Sequence, residues 1–212
     1  MEVYFVTDRT LRLDRSLPEI VREASAAGVK YVQLREKDLG TREMRVLAGE
    51  LVEACRPAGA RLLINDRLDI ALAAGADGVH LPLDGLPVST VRRVLGKRLL
   101  IGASTHSLEE AERAESAGAD FLVFGPVFPS PDKLLYGPPL GIESLRAVLE
   151  KVYIPVFAIG GIDTGNVGEL RHLNLAGVAV IRALMTAKDI PATVRILRGG
   201  TGFLNRREPI RR

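Results

Sequence analysis

The sequence predicts an α/β protein, a single-domain (β/α)₈ TIM barrel, and three observations predict it. Short apolar runs alternate with amphipathic stretches along nearly the whole chain, which calls for crossover connections and a parallel sheet. The unit Ala74-Gly75-Ala76-Asp77-Gly78-Val79 returns 43 positions later as Ala117-Gly118-Ala119-Asp120-Phe121-Leu122, and Ala27-Gly28, Ala58-Gly59 and Ala176-Gly177 precede other apolar runs. Polar residues collect just after the apolar runs, where a barrel carries its chemistry. Periodicity leaves one alternative open, a doubly wound open sheet.

Eight strands are expected, at Val3–Val6, Tyr31–Leu34, Leu62–Ile64, Gly78–Leu81, Leu99–Ile101, Phe121–Phe124, Val156–Ile159 and Val178–Ile181. Helical spacing falls between them. Leu17, Ile20, Val21 and Ala24 share one face, as do Met44, Leu47, Leu51 and Val52. Further helices are expected over Ile70–Ala74, Val91–Leu95, Leu108–Ala117, Leu145–Val148 and Val167–Leu173. In each Ala-Gly step the glycine ends a helix in a left-handed conformation and turns the chain into the next strand.

A chain of 212 residues suits one lean barrel, and 47% hydrophobic residues exclude wholesale disorder. No run of about 18 apolar residues is present, so no membrane helix is expected. The first residues enter a strand-like run without a basic segment or small-residue cleavage site, which points to a cytoplasmic protein. The single Cys55 cannot form an internal disulfide and is expected as a buried thiol. The net charge of +3 resides in the segment 199–212, through Arg206, Arg207, Arg211 and Arg212 against Glu208. The expected organisation is therefore a neutral barrel over 1–198 and a basic, solvated tail over 199–212. With ten aromatic residues and no basic stripe, a nucleic-acid surface is excluded.

The strand ends carry the candidate site. Gln33, Arg35 and Lys37 alternate, so they share a face and suit phosphate or diphosphate oxygens; an ion-pair network with Asp66 is the alternative. Asn65 and Asp66 could hold a metal or orient a ring, or Asp66 could cap the next helix. Gly160 and Gly161 follow the seventh strand and Ile181 and Arg182 the eighth, the two loops that most often cradle phosphate in barrels. The stretch from Gly125 to Gly141, rich in proline, reads as a lid with Ser130, Asp132 and Lys133 as its polar contributors. His80 and His106 end strands and are candidates for proton transfer, or for structural hydrogen bonds. His172 is expected on a helix surface. No two histidines have metal-ligand spacing, so zinc is not expected.

These runs resemble the thiamin phosphate synthase and TenI family. The resemblance rests on Val6-Thr7-Asp8, Val32-Gln33-Leu34-Arg35-Glu36-Lys37, Ile64-Asn65-Asp66-Arg67, Ala76-Asp77-Gly78-Val79-His80-Leu81, Ser104-Thr105-His106-Ser107, Phe124-Gly125-Pro126-Val127-Phe128 and Ala158-Ile159-Gly160-Gly161-Ile162. It spans residues 6 to about 185 and implies a (β/α)₈ barrel. It also implies one of two activities. A synthase joins a hydroxymethylpyrimidine diphosphate to a thiazole phosphate with Mg²⁺ assisting diphosphate departure. A TenI-type protein binds a thiazole phosphate and, in some members, shifts its double bond between tautomers. By position, Gln33, Arg35, Lys37 and Asn65 resemble the pyrimidine diphosphate pocket, and Ser104 a substrate-contacting serine. Asp66 resembles a magnesium ligand and Lys133 the diphosphate-binding lysine of the lid. Gly160, Gly161 and the Ile181-Arg182 amides resemble the thiazole phosphate cradle.

The chain also departs from the synthase pattern. After His80-Leu81, synthases read Gly-Gln-x-Asp, where this chain has Pro82-Leu83-Asp84-Gly85. The second magnesium ligand is thereby replaced by glycine, with Asp84 one position away. The lid reads Ser130-Pro131-Asp132-Lys133 in place of Thr-x-Thr-Lys, and Arg182 replaces a serine. His80-Leu81-Pro82 and the lid segment Gly137-Pro138-Pro139-Leu140-Gly141 resemble TenI-type sequences more closely, although the histidine of some TenI tautomerases is Pro126 here. The sequence therefore favours a TenI-like protein that needs no cofactor, with His106 or His80 moving the proton. A diverged synthase using Mg²⁺ on Asp66 and Asp84 is the alternative, with weak or absent activity expected, and a non-enzymatic phosphate-ligand barrel the second. The expected partners are a phosphorylated thiazole and, for a synthase, a pyrimidine diphosphate; neither membrane nor nucleic acid is expected, and homo-oligomerisation stays open.

Overall fold

The computed structural model describes residues 1–11, 15–129 and 138–199. Eight parallel strands close into a barrel in chain order, with β1 paired to both β2 and β8. They are β1 Glu2–Val6, β2 Tyr31–Leu34, β3 Arg61–Asn65, β4 Gly78–Leu81, β5 Leu100–Thr105, β6 Phe121–Phe124, β7 Val156–Ile159 and β8 Gly177–Val180. Around them lie α1 Leu17–Ala26, α2 Thr41–Cys55, α3 Leu68–Ala74, α4 Val88–Leu95, α5 Leu108–Ser116, α6 Gly141–Lys151, α7 Arg182–Met185 and α8 Ile190–Arg198. Closure removes the open sheet from consideration. The lid residues Ser130, Asp132 and Lys133, and the basic segment beyond Gly199, lie outside the described residues.

Strand side chains alternate between two cores. Val3, Phe5, Val32, Leu34, Leu62 and Ile64 face outward against the helices. Tyr4, Tyr31, Leu63, Phe121 and Phe157 fill the interior, so the barrel is packed rather than open. Ring centroids of Tyr4, Phe121 and Phe157 stand 5.6–5.7 Å apart in edge-on and tilted pairs. Glycines make room for these rings. A Cβ on Gly102 would lie 2.3 Å from Cζ of Phe121 and 2.8 Å from Nδ1 of His80. Phe121 is itself wedged between Tyr4 and Phe157 and cannot retreat. Gly102→Ala is therefore expected to destabilise the fold by about 1–3 kcal/mol, the usual range for overpacking, as measured by urea denaturation.

The Ala-Gly-Ala-Asp repeats do more than turn the chain. Gly75 and Gly118 take φ of +68° and +96° and end α3 and α5 as their spacing predicts. The aspartate that follows then clips neighbouring strands at the bottom of the barrel. Asp77 accepts from the Leu62 amide at 2.8 Å, and Asp120 from the Ile101 amide at 2.7 Å. Arg92 completes the second clip by pairing with Asp120.

Three elements differ from the sequence expectation. Strand β5 runs on to Thr105, because Ser104 faces inward and finds a partner there. The helix expected over Val167–Leu173 is only a 3₁₀ turn at Val167–Leu170. Its buried residues Val167, Leu170 and Leu173 recur every third position, the 3₁₀ period, and glycines at 165 and 168 weaken a longer helix. His172 accordingly lies in an exposed turn rather than on a helix. Helix α8, which no expectation covered, has Asp189 as its cap and buries Ile190, Val194 and Leu197. Cys55 is buried as expected, and burial pushes its thiol up to about 12.

Candidate functional site at the C-terminal ends of the strands

The alternation along β2 places its polar residues at different depths. Gln33 is buried inside the barrel, where its amide donates to the Tyr4 hydroxyl at 3.0 Å. Arg35 is half-buried and Lys37 exposed, and among the described residues neither has an ion-pair or hydrogen-bond partner for its side chain. The alternative of a network with Asp66 is thus not observed. Glu36 points the other way. It accepts from the Thr7 hydroxyl at 2.7 Å and from the Arg9 amide, which fastens the loop after β1 to the end of β2. Burial raises its carboxyl above the usual range, against the hydrogen bonds from Thr7 and Arg9. Thr7 in turn accepts from the Arg35 amide at 3.0 Å. Sequence reasoning gave Glu36 no role; its burial is the signal, and that is a tertiary fact.

A strained turn ends β3. Asp66 has φ of +61°, a left-handed conformation that costs a non-glycine residue about 1 kcal/mol. Its amide donates to His80 O at 2.8 Å and the next amide folds back on Asn65 O at 2.7 Å. The turn sends the Asp66 carboxylate towards the loop after β4. A Cβ on Gly85 would lie 2.7 Å from its Oδ1. Helix α3 has Arg67 rather than Asp66 at its N-cap position, so capping does not account for the aspartate. Arg67 is instead held by Asp69 and Thr41. Arg35, Lys37, Asn65, Asp66 and Asp84 line one cavity of about 370 Å³.

His80 lies below this rim, 2% exposed. Its Nε2 is 2.9 Å from Ser104 Oγ and its Nδ1 3.4 Å from the Tyr4 hydroxyl. Burial, then the nearby Arg35 charge, pushes its pKa down to about 3. The ring is therefore neutral at physiological pH and is a poor proton carrier. The unfolded chain binds that proton near pH 6.5, so the stability His80 provides is present above pH 6.5 and is lost as the pH falls towards 3. His80→Gln removes the titrating ring. The stability gap between wild type and this variant should narrow by about 2 kcal/mol from pH 7 to pH 5, read by urea denaturation. An unchanged gap would show that the ring is not buried in its neutral form.

His106 has its backbone amide on Glu110 at 2.7 Å and its Nδ1 against Gly125 O. A ring that donates through Nδ1 leaves Nε2 as an acceptor, which keeps proton transfer chemically open to it. Pro126 follows a cis peptide bond at the start of the next loop.

At the far side of the rim, Gly160 and Gly161 take φ of +101° and +62°. A Cβ on Gly160 would lie 2.4 Å from Pro126 Cβ, and one on Gly161 2.2 Å from Pro129 O. The close approach of the β6 loop alone therefore demands both glycines. Their own N–H groups have no hydrogen-bond partner among the described residues. Ile181 and Arg182 follow β8, the strand hydrogen-bonded to β7, and open the single turn of α7.

These features define a (β/α)₈ barrel whose polar groups converge on the face where barrels carry their active sites. The chain belongs to the thiamine monophosphate synthase family, whose profile matches residues 3–184. It is similar to the thiamine-phosphate synthase of Syntrophomonas wolfei, at 48% identity over 92% of this chain and 94% of the relative. It is 41% identical to the thiamine-phosphate synthase of Roseiflexus sp., over 92% of this chain and 83% of that one. Among solved structures it resembles the thiamine phosphate pyrophosphorylase from Pyrococcus furiosus, with a TM-score of 0.85 and 40% identity over 93% of both chains. None of the described helices is long and apolar enough to cross a membrane.

Proposed function

We propose that this chain is a thiamine-phosphate synthase, joining hydroxymethylpyrimidine diphosphate to thiazole phosphate and releasing diphosphate. The relatives bearing that name, at 41–48% identity, favour this reading over the TenI-like one that the sequence motifs suggested. The observation that carries it is the 370 Å³ cavity, in which Arg35 and Lys37, without side-chain partners among the described residues, stand beside Asp66, Asp84 and Asn65, while Glu36 and Arg67 on the same lining are paired elsewhere. A plain ion-pair network would have joined those charges to each other.

In this reading the thiazole nitrogen attacks the pyrimidine methylene carbon while the bond to the diphosphate oxygen breaks. Arg35 and Lys37 take up the negative charge that builds on the departing diphosphate. Asn65 and Ser104 orient the pyrimidine, and Gln33 acts from beneath through Tyr4. Gly160, Gly161 and Ile181 hold the thiazole phosphate with their amides, with Arg182 beside them. Ser130 and Lys133, which lie outside the described residues, match by sequence position the diphosphate-binding lid of the family.

The family implies Mg²⁺, and the donors here fit it. The Asp66 carboxylate has no hydrogen-bond partner among the described residues, and Asp84 lines the same cavity. Magnesium takes one or two protein carboxylates and completes its shell with substrate phosphates and water. When bound, the ion would neutralise diphosphate charge. We assign Asp66 and Asp84 as its ligands, Asp84 standing in for the acid that Gly85 lacks.

The test is to supply both substrates with and without Mg²⁺ and to follow thiamin phosphate and diphosphate. Metal-dependent formation of both is expected. Conversion of one thiazole phosphate tautomer into the other, without any coupled product, would return the protein to the TenI-type reading.

A further inference from the structure

The barrel interior holds a connected row of polar groups that meets the proposed chemistry only at its rim end, Ser104. Gln33, Tyr4, His80 and Ser104 are linked from β2 through β1 and β4 to β5. Every member but Ser104 is buried, so each proton in the row needs an acceptor. The Gln33 amide already donates to the Tyr4 oxygen. Among the described residues the Tyr4 proton then has one acceptor in reach, Nδ1 of His80 at 3.4 Å. With Nδ1 accepting, the neutral ring carries its proton on Nε2 and donates to Ser104 Oγ at 2.9 Å. The opposite tautomer would leave the Tyr4 hydroxyl proton buried without a partner.

We propose that Tyr4 is a positioning residue: its hydroxyl, braced by Gln33, sets the His80 tautomer and so makes Ser104 an acceptor towards the core and a donor towards the strand-end rim. Ser104 is half-exposed where β5 meets the rim, so its own proton is left for a ligand acceptor such as a pyrimidine ring nitrogen. The row is built into the fold rather than added to it. Gly102, between Ser104 and the aromatic cluster, is the position at which any side chain would displace His80. The ligand named here rests on the synthase reading; the order of protons within the row does not.

Two measurements test the proposal. Nitrogen NMR of the ligand-free protein should show the His80 ring protonated at Nε2, with Nδ1 bare and hydrogen-bonded. In Tyr4→Phe, which keeps the packed ring, Nδ1 should move to the value of a bare, unbonded nitrogen. A proton on Nδ1 in wild type overturns the proposal, and so does an Nδ1 signal unmoved by the variant. The second measurement is a double-mutant cycle on binding of hydroxymethylpyrimidine diphosphate, with thiazole phosphate binding as control. Tyr4→Phe and Ser104→Ala should each weaken binding about tenfold, the scale of one hydrogen bond, and together no more than Ser104→Ala alone. Additive losses, or an equal loss for thiazole phosphate, would mean that Tyr4 supports the fold generally and does not act through Ser104. Should wild type fail to bind the pyrimidine at all, the synthase reading falls while the NMR result still decides the proton order.

Discussion

Replacing Asp66 with asparagine is expected to lower thiamin phosphate formation by about 10²-fold or more, the usual loss when a charge-stabilising group leaves an active site. The substitution keeps size and shape and removes the one carboxylate that the strained turn after β3 aims across the cavity. Stability should not fall, since that carboxylate makes no hydrogen bond or ion pair among the described residues, Arg67 beside it is held by Asp69, and asparagine tolerates the left-handed conformation. Asp84→Asn should give a smaller loss and a weaker apparent Mg²⁺ affinity, because it stands on an exposed loop. The reverse substitution adds a check that needs no turnover. In Gly85→Asp the new Cβ would meet Asp66 Oδ1 at 2.7 Å. The Asp66 side chain must shift to admit that Cβ, and the added carboxylate then stands beside its own; the like charges repel, so melting temperature should drop in chelator and recover with Mg²⁺. Full activity in Asp66→Asn would remove the aspartate from the mechanism, and with it the metal assignment.

The second large effect concerns the thiazole phosphate. Binding of the phosphate ester should exceed that of the free thiazole alcohol by about 10²–10⁴-fold, as two or three charge-assisted hydrogen bonds from backbone amides would supply. Comparing ligands is a cleaner test than substituting the cradle. Gly161 already lies against Pro129 O, so Gly161→Asp would disturb the β6 loop whatever the ligand does. Isothermal titration with the two compounds reads the difference directly. Equal affinities would move the phosphate away from the loops after β7 and β8.

Both effects depend on residues that are legible in the sequence only as a set. Arg35, Asn65, Asp66, Asp84, Gly160 and Gly161 can be picked out because each follows an apolar run, and a barrel collects such positions on one face. Their separate depths could not be read. Gln33 and Lys37 share a face with Arg35, yet Gln33 is buried against Tyr4 and Lys37 is exposed. Strand alternation fixes which way a side chain points but says nothing of how far along the barrel axis it sits.

The balance between two activities was also beyond the motifs. The stretch Pro82-Leu83-Asp84-Gly85 reads locally as a lost ligand. In the fold, the space beside Gly85 is filled by the Asp66 carboxylate, and Asp84 stands on the same cavity. A missing side chain in one loop can be answered by a neighbour only when both loops are seen together.

The sequence by itself determined the eight strands and most of the helices, because hydrophobic spacing and the Ala-Gly turns are local signals written residue by residue. The structure added that the interior is close-packed, with Phe121 set against Gly102 on the next strand. The tertiary structure alone decided that β1 closes on β8, that Asp77 and Asp120 clip strands together, that Glu36 is buried under the β1 loop, and that Asp66 is thrown across to Gly85. Each of these joins residues on different strands. Such contacts depend on stagger and closure of the whole barrel, and no short-range pattern encodes those.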